Sequence, residues 1–254
     1  MDILSFAALA GVAFFAAVVQ AATGFGFAIM AVPFFLLIMG SLTAIQVTAV
    51  VNFVISLVLM RHLMEEAPYR LLSHLMIGSV IGFPVGLAAF KAADLDSVKI
   101  TVGVLITAFA LLLIVREWRR SHARSTAPAA DEFEPRLFSE LGIGFISGVM
   151  GVALAMPGPV VVLYLLARHA GKQISRSTTL LLFGFSYGSV SLVHTIWGGM
   201  TGETWLLAVK LSPFVIAGAF LGHYVTRYLS EERFRAVVLL ILVASGVYGI
   251  WTAL

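Results

Sequence analysis

The fold is decided by the stretch ILSFAALAGVAFFAAVVQAATGFGFAIMAVPFFLLIM, residues 3–39, which contains no charged side chain. One unbroken helix of this length would reach about 55 Å, whereas the hydrocarbon core of a bilayer is only about 30 Å thick. The motif TGFG at residues 23–26 and Pro33 interrupt the apolar pattern. Because glycine and proline both weaken a continuous helix, the sequence predicts a broken segment inside the membrane.

The composition of the whole chain excludes an ordinary soluble protein. Of the 254 residues, 60% are hydrophobic and only 11% are charged, whereas soluble domains carry roughly 25% charged residues. Further apolar runs of about 20 residues each predict single membrane spans. These spans cover residues 42–61, 70–90, 97–117, 174–196, 205–226 and 234–253. The predicted fold class is therefore an all-α integral membrane protein.

The chain divides into two similar halves. A second broken segment, 137–168, is interrupted by Gly148, Gly151 and the run MPGP at 156–159. The polar stretch 119–136 is a linker between a first repeat, 1–118, and a second repeat, 137–254. Each half also has a small-xxx-small pattern, which brings membrane helices close together. The matching positions are Pro33 with Pro159, and Gly82 and Gly86 with Gly218 and Gly222.

The distribution of basic residues predicts the orientation. If each broken segment is a re-entrant hairpin, one side of the membrane holds only Lys91, Lys99 and Lys210, and 13 of the 16 basic residues lie opposite. Cytoplasmic loops carry the excess of Lys and Arg. We therefore predict two inverted-topology repeats, each a hairpin followed by three spans. Both termini lie outside the cytoplasm, the linker lies inside it, and the protein resides in the inner (plasma) membrane.

Broken helices at matching positions of inverted halves indicate a transporter site. A break leaves backbone N–H groups unsatisfied at a helix N-terminus, whose positive dipole end attracts an anion. We expect a small anion to bind near the midplane, where the two broken segments meet. The candidate binding residues are Gln20, Thr23, Gly24, Gly26, Asn52, Gly151, Arg176, Thr178 and His194.

Structural roles for these candidates stay open. Glycines also serve helix packing, and polar side chains also bond across membrane helices. Arg176 stands near the start of its span, where a long cationic side chain reaches back to the interface. His194, near the other end of that span, could be a purely structural histidine.

The acidic residues argue for an anionic substrate. All 13 lie in loops or within a few residues of span ends, and Glu140 is the deepest. Coupling to a cation usually needs a buried carboxylate, so we expect no carboxylate proton relay. Neither a cofactor nor a metal site is expected. The basic residues lie between apolar runs, so they indicate which loops face the cytoplasm and do not indicate a nucleic-acid partner. The expected partners are the lipid bilayer and the small anion.

An enzyme is the weakest alternative. The sequence GFSYG at 184–188 matches the nucleophile-elbow pattern of hydrolases. On one helix, however, Ser186 and His194 are about 12 Å apart along the axis and about 80° apart around it. They cannot form a hydrogen-bonded dyad, so no catalytic residue is assigned.

The chain resembles the TauE/SafE family in three features. They are the motif GFG-x₆-P at 24–33, its weaker echo from Gly148 to Pro157 and Pro159, and the basic turns before the last span of each half. The resemblance implies transport of sulfite, of organosulfonates such as sulfoacetate, or of related organic anions, often as export. An anion channel and a carboxylate transporter are the alternatives that we keep. A homodimer is one assembly that stays open.

Overall fold

The computed structural model describes residues 2–60, 68–122, 136–168 and 170–225. The predicted span 234–253 and most of the linker 119–136 lie outside the described residues. The helices within the described ranges are α1 (Ile3–Thr23), α2 (Phe27–Met39), α3 (Thr43–Met60), α4 (Tyr69–Ala92), α5 (Leu95–His122), α6 (Leu137–Leu154), α7 (Gly158–Ala167), α8 (Lys172–Ile196) and α9 (Gly202–Val225).

Seven of these helices are long and apolar enough to cross a membrane: α1, α3, α4, α5, α6, α8 and α9. The prediction of an all-α integral membrane protein is confirmed. The other two, α2 with 13 residues and α7 with 10, reach only about 20 Å and 15 Å and are too short to span. They follow α1 and α6 as the second arms of the two broken segments.

The break between α1 and α2 depends on two glycines. Gly24 has a φ of 85° and Gly26 a φ of 114°, a left-handed conformation that glycine adopts without steric cost. Gly24 closes α1 by donating its N–H to the carbonyl of Gln20 at 2.8 Å. The TGFG motif therefore turns the chain as the sequence predicts.

The second break lies later than the sequence predicts. Helix α6 continues through Gly148 and Gly151, and the chain turns only at Ala155, with a φ of 52°, and at Pro157. The prediction that Gly148 and Gly151 interrupt the segment is wrong, whereas the run MPGP at 156–159 does lie at the break. A Cβ at Gly148 would lie 2.2 Å from the carbonyl oxygen of Ser79, so this glycine permits close packing of α6 on α4.

Glycine contacts define the relative directions of four helices. Gly218 lies against the backbone of Phe14, and Gly222, four residues on, lies against that of Val18. Helix α9 therefore runs parallel to α1.

Helix α4 runs parallel to α6 by the same reasoning. Successive glycines of α4 contact successive turns of α6: Gly78 contacts Leu141, Gly82 contacts Phe145 and Gly86 contacts Val149.

Helices α3 and α8 cross in opposite directions. Phe53 contacts Gly188, whereas the later residue Met60 contacts the earlier residue Gly184. Near its end, α8 meets the end of α4 through the rings of His194 and Phe90, so α4 and α8 run the same way. After α8 the chain reverses, and Trp205 near the start of α9 donates from its Nε1 to Thr195 Oγ1 at 3.2 Å.

Two ends of the bundle follow from these directions. Helices α4, α6 and α8 begin at the same end of the bundle, which we call the Glu140 end. The opposite end, where α4 and α8 finish and α9 begins, is the Trp205 end. Helices α1, α3 and α9 run in the opposite direction. Each described span of the second half thus runs opposite to its counterpart in the first, as inverted repeats require. The repeats, the domain boundaries and the end that faces the cytoplasm stay predictions.

The interior of the bundle is apolar and closely packed. The fully buried side chains Phe27 and Phe35 of α2, Ile45 and Ile55 of α3, and Tyr187 of α8 belong to one core cluster. Large apolar side chains also cover the outside of α4, α5 and α9, among them Val80, Ile81, Leu111, Leu112, Val209 and Phe220. A continuous exposed apolar surface would be unstable in water and suits contact with lipid.

Candidate anion-binding site

The first turn, residues 24–26, is connected to α3 by a chain of amide groups. The backbone N–H of Phe27 donates to Gln20 Oε1 at 3.2 Å, and Gln20 Nε2 donates to Asn52 Oδ1 at 2.9 Å. The first bond needs an oxygen and so orients the Gln20 amide; the second then orients the amide of Asn52. The Nδ2 donors of Asn52 therefore point away from Gln20.

The Nδ2 group of Asn52 is the most informative donor at this turn. Asn52 is fully buried, and its Nδ2 has no hydrogen-bond partner within the described part of the chain. Leaving a buried donor unsatisfied costs about 1–3 kcal/mol. Because the amide cannot be flipped without losing the bond from Gln20, this position suits an acceptor carried by a substrate.

Backbone donors of α2 lie beside this amide network. The N–H groups of Ala28 and Ile29, in the first turn of α2, donate to no acceptor among the residues described. The first N–H groups of a helix have no intrahelical partner, and the aligned peptide dipoles make that end positive. The start of α2 therefore has the properties of an anion-binding helix N-terminus.

Arg176 reaches the same turn from α8. Its Nη2 donates to the carbonyl oxygen of Ala21 at 3.2 Å, and its Cγ lies 3.2 Å from the position of a Cβ on Gly24. The side chain thus turns inward and caps the last turn of α1. Among the described residues no acidic side chain forms an ion pair with it. Its positive charge is therefore available to an anion at the turn.

The two threonine candidates have different surroundings. The hydroxyl of Thr23 donates to the carbonyl of Val19 at 2.9 Å and accepts the N–H of Phe25 at 3.2 Å, so it stabilises the turn itself. Thr178 is buried, and its hydroxyl has no partner in the described ranges. It stands two residues after Arg176, about 160° away around α8, so these two side chains point in nearly opposite directions.

Gly151 and His194 belong to the second turn, residues 155–157. His194 Nε2 donates to the carbonyl of Val152 at 3.0 Å, which is among the last carbonyls of α6, and its Nδ1 is buried without a partner in the described region. The carbonyl of Gly151 accepts the N–H of Ala155 at 2.9 Å. Among the described residues, neither Gly151 nor His194 makes a hydrogen bond to Gln20 or Asn52.

Two residues outside the predicted site, Ser147 and Tyr187, hold the second turn in place. Ser147 Oγ donates to the carbonyl of Pro157 at 2.9 Å, and the hydroxyl of Tyr187 donates to the carbonyl of Ala155 at 3.1 Å. A buried hydroxyl ten residues before a proline is a weak signal, so neither could have been found by spacing. Pro157 and Pro159 have no N–H, and the second turn therefore offers fewer donors than the first.

The two turns contact α8 at separate places. The first touches Arg176 and the second Tyr187, eleven residues apart, which is about 16 Å along the helix axis. That both turns form one anion site stays a prediction. The first turn alone combines a positive helix end, an unpartnered buried amide and an arginine.

The expectation that no carboxylate is buried is wrong for Glu140. Its side chain is fully buried at the start of α6, where its carboxylate lies 2.6 Å from His74 Nδ1. It also accepts the N–H of Arg136 at 3.0 Å and the hydroxyl of Tyr164 at 3.4 Å. Glu140 is near a span end in sequence, but α4 and α7 cover it, and only the packing of distant segments shows this.

The GFSYG sequence lies inside the continuous helix α8, where Gly184 and Gly188 permit contact with Met60 and Phe53 of α3. A nucleophile elbow requires a turn between a strand and a helix. Within the described ranges no group of three His, Asp or Glu side chains is placed to hold a metal ion.

Comparison with known proteins gives one match. A family model described as sulfite exporter TauE/SafE matches residues 9–249, nearly the whole chain. No curated protein and no solved structure matches significantly. The match begins within α1 and continues through the remaining described helices, so it includes both turns.

Proposed function

The chain belongs to the sulfite exporter TauE/SafE family, a family of membrane transporters of sulfite or related anions, and from this premise we propose that it transports sulfite or an organosulfonate such as sulfoacetate. We propose that the anion binds at the first turn, between the start of α2 and Asn52. The single observation that carries the proposal is the buried, unpartnered Nδ2 of Asn52, oriented by Gln20.

The chemistry of the turn fits a sulfonate or sulfite group. Several oxygens that share negative charge can accept the N–H groups of Ala28 and Ile29 and the amide of Asn52 at once. Arg176 adds a positive charge, and hydrogen bonds to charged groups are the stronger ones. Gly24 and Gly26 form the left-handed turn that aims the start of α2, and the side chains of Arg176 and Val19 pack where their own side chains would be.

We propose that the halves 1–118 and 137–254 act as inverted repeats that alternate access, with α2 and α7 as the shorter arms. In this proposal the Glu140 end faces the cytoplasm. Arg70, Arg136 and Arg176 stand at that end, whereas Lys91 and Lys99 stand at the other, in keeping with a cytoplasmic excess of positive charge. The physiological direction is export.

Transport is tested with purified protein in liposomes. We expect saturable uptake of radiolabelled sulfoacetate, with sulfite competing and acetate competing poorly, because a single carboxylate has fewer oxygens for these donors. Counterflow, the uptake of labelled anion driven by unlabelled anion inside, identifies a carrier. Flux without saturation and without counterflow would indicate a channel, and preference for acetate would indicate a carboxylate transporter.

The variant Asn52→Asp tests the site. A carboxylate at this position still accepts the bond from Gln20 Nε2, but it offers no N–H and adds a negative charge. We expect the fold to persist and sulfoacetate affinity to fall at least tenfold, which corresponds to about 1.4 kcal/mol. Thr48→Val is the matched control, because Thr48 is buried one turn earlier on α3 and its hydroxyl bonds only to the carbonyl of Ala44. Unchanged affinity in Asn52→Asp contradicts the proposed site.

A further inference from the structure

Glu140 connects three separate parts of the bundle at the Glu140 end. The carboxylate receives the ring N–H of His74 from α4 at 2.6 Å, the backbone N–H of Arg136 before α6, and the hydroxyl of Tyr164 from α7. Because α7 is the short arm of the second broken segment, a change in the charge of this carboxylate directly alters what holds the arm in place.

His74 gives this buried carboxylate a route to water. Its side chain is 17% exposed, whereas that of Glu140 is fully buried. The Nδ1 atom faces Glu140, and Nε2 makes no hydrogen bond within the described part of the chain. Histidine is the side chain whose ordinary titration falls near neutral pH. A proton can therefore reach Nε2 from solvent while the bond to Glu140 stays formed.

The charges around the pair favour one mobile proton. With His74 neutral, the pair carries one negative charge in a buried position; with His74 protonated, it is an electrically neutral ion pair. The other groups that face the cluster are the Tyr164 hydroxyl and the cations Arg136 and Arg168, both of which act on Tyr164. Neither charge state of the pair leaves a buried carboxylate without hydrogen-bond donors.

We propose that His74 and Glu140 form a proton-binding site that couples proton movement to anion transport by acting on α7 through Tyr164. This inference rests on the proposed transport function. A proton that enters in exchange for the anion can drive its export, and binding at this pair occurs at the opposite end of α6 from the second turn. Glu140 and His74 are coupling residues and do not touch the anion at the first turn.

The first experiment measures proton binding without transport. Ring ¹⁵N signals of histidine are followed by NMR from pH 5.5 to 8.5 in the purified protein, with the His74 signal assigned by its loss in His74→Asn. We expect the His74 ring to gain one proton across this range. A ring that keeps the same protonation throughout overturns the proposal, whatever the protein transports.

The second experiment separates coupling from transport itself. Asparagine at position 74 can place an N–H where Nδ1 lies but cannot titrate, and Glu140→Gln keeps an acceptor for Arg136 and Tyr164. In liposomes at pH 6–8, wild-type protein is expected to accumulate sulfoacetate in response to a pH gradient. Both variants should lose at least 80% of this accumulation and keep sulfoacetate counterflow within twofold of wild type.

The outcomes distinguish the two proposals. Gradient-driven accumulation that is unchanged in His74→Asn and Glu140→Gln overturns proton coupling at this pair. Loss of counterflow together with accumulation in both variants, in protein that is folded by size-exclusion chromatography, also overturns it, because the pair would then serve binding or folding. Absence of counterflow in the wild type would instead refute the proposed transport function, and the NMR titration still decides the proton site.

Discussion

Substituting alanine for Gly82 should separate α4 from α6 by a measurable distance. A Cβ at Gly82 would lie 2.2 Å from the carbonyl oxygen of Phe145 and 3.0 Å from the nitrogen of Val149. Ordinary contact requires 3.4 Å or more, so the helices must move apart by about 1 Å. A gap of this size forfeits a quarter to a half of the dispersion energy of each contact along the pair.

The loss can be estimated from the contacts involved. The hydrogen bond from Ser79 Oγ to the carbonyl of Gly144, now 3.1 Å long, would lengthen as well, and interhelical bonds in membranes contribute about 0.6 kcal/mol each. With the overpacking cost of typically 1–3 kcal/mol, the total is about 1.6–3.6 kcal/mol. At about 2–4 °C per kcal/mol for a chain of this size, we expect Gly82→Ala to lower the melting temperature by about 3–14 °C.

The assay is thermal unfolding in detergent, followed by size-exclusion chromatography. Gly142→Ala is the matched control, because it changes a glycine of the same helix pair where no atom lies within 4 Å of the new Cβ. Alanine has the higher helix propensity, by up to about 1 kcal/mol, so this variant should be as stable as wild type or more stable. Equal melting temperatures for Gly82→Ala and wild type would refute the argument that α4 and α6 pack backbone to backbone.

Four further results are expected. Gly26→Ala should destabilise the protein by about 1–3 kcal/mol in thermal unfolding, because its φ of 114° is unfavourable for alanine, whereas Gly11→Ala should be neutral. Arg176→Gln should raise the Kd for sulfoacetate with little change in melting temperature. An unchanged Kd would mean that Arg176 only caps the end of α1 and does not bind the anion. The hydrogen bonds from Ser97 lower the pKa of Asp94, so its contribution is present above pH 4 and lost as the pH falls further. The melting difference between wild type and Asp94→Ala should therefore shrink towards pH 3. Because the chain has no cysteine, a cysteine introduced at position 199 should react with impermeant thiol reagents in intact cells, and one in the linker 119–136 should not.

The sequence was sufficient for the membrane helices and for the first turn. A span must be apolar along its whole length, and this requirement is visible residue by residue. The TGFG turn was visible too, because a left-handed backbone conformation needs glycine, and Gly24 and Gly26 supply it. The second turn was misplaced towards Gly148, since a glycine that serves close packing and a glycine that breaks a helix look the same in a single sequence.

Only the tertiary structure decided how the polar residues are used. Gln20 and Asn52 are 32 positions apart and Arg176 is 155 positions from Ala21, so no local pattern could reveal that they meet at one turn. Glu140 illustrates the same limit: its place at a span end predicted solvation, but α4 and α7 enclose it with His74 and Tyr164. Apolar length is a property of one segment, whereas the partner of a buried polar group belongs to another segment, which only the fold brings near.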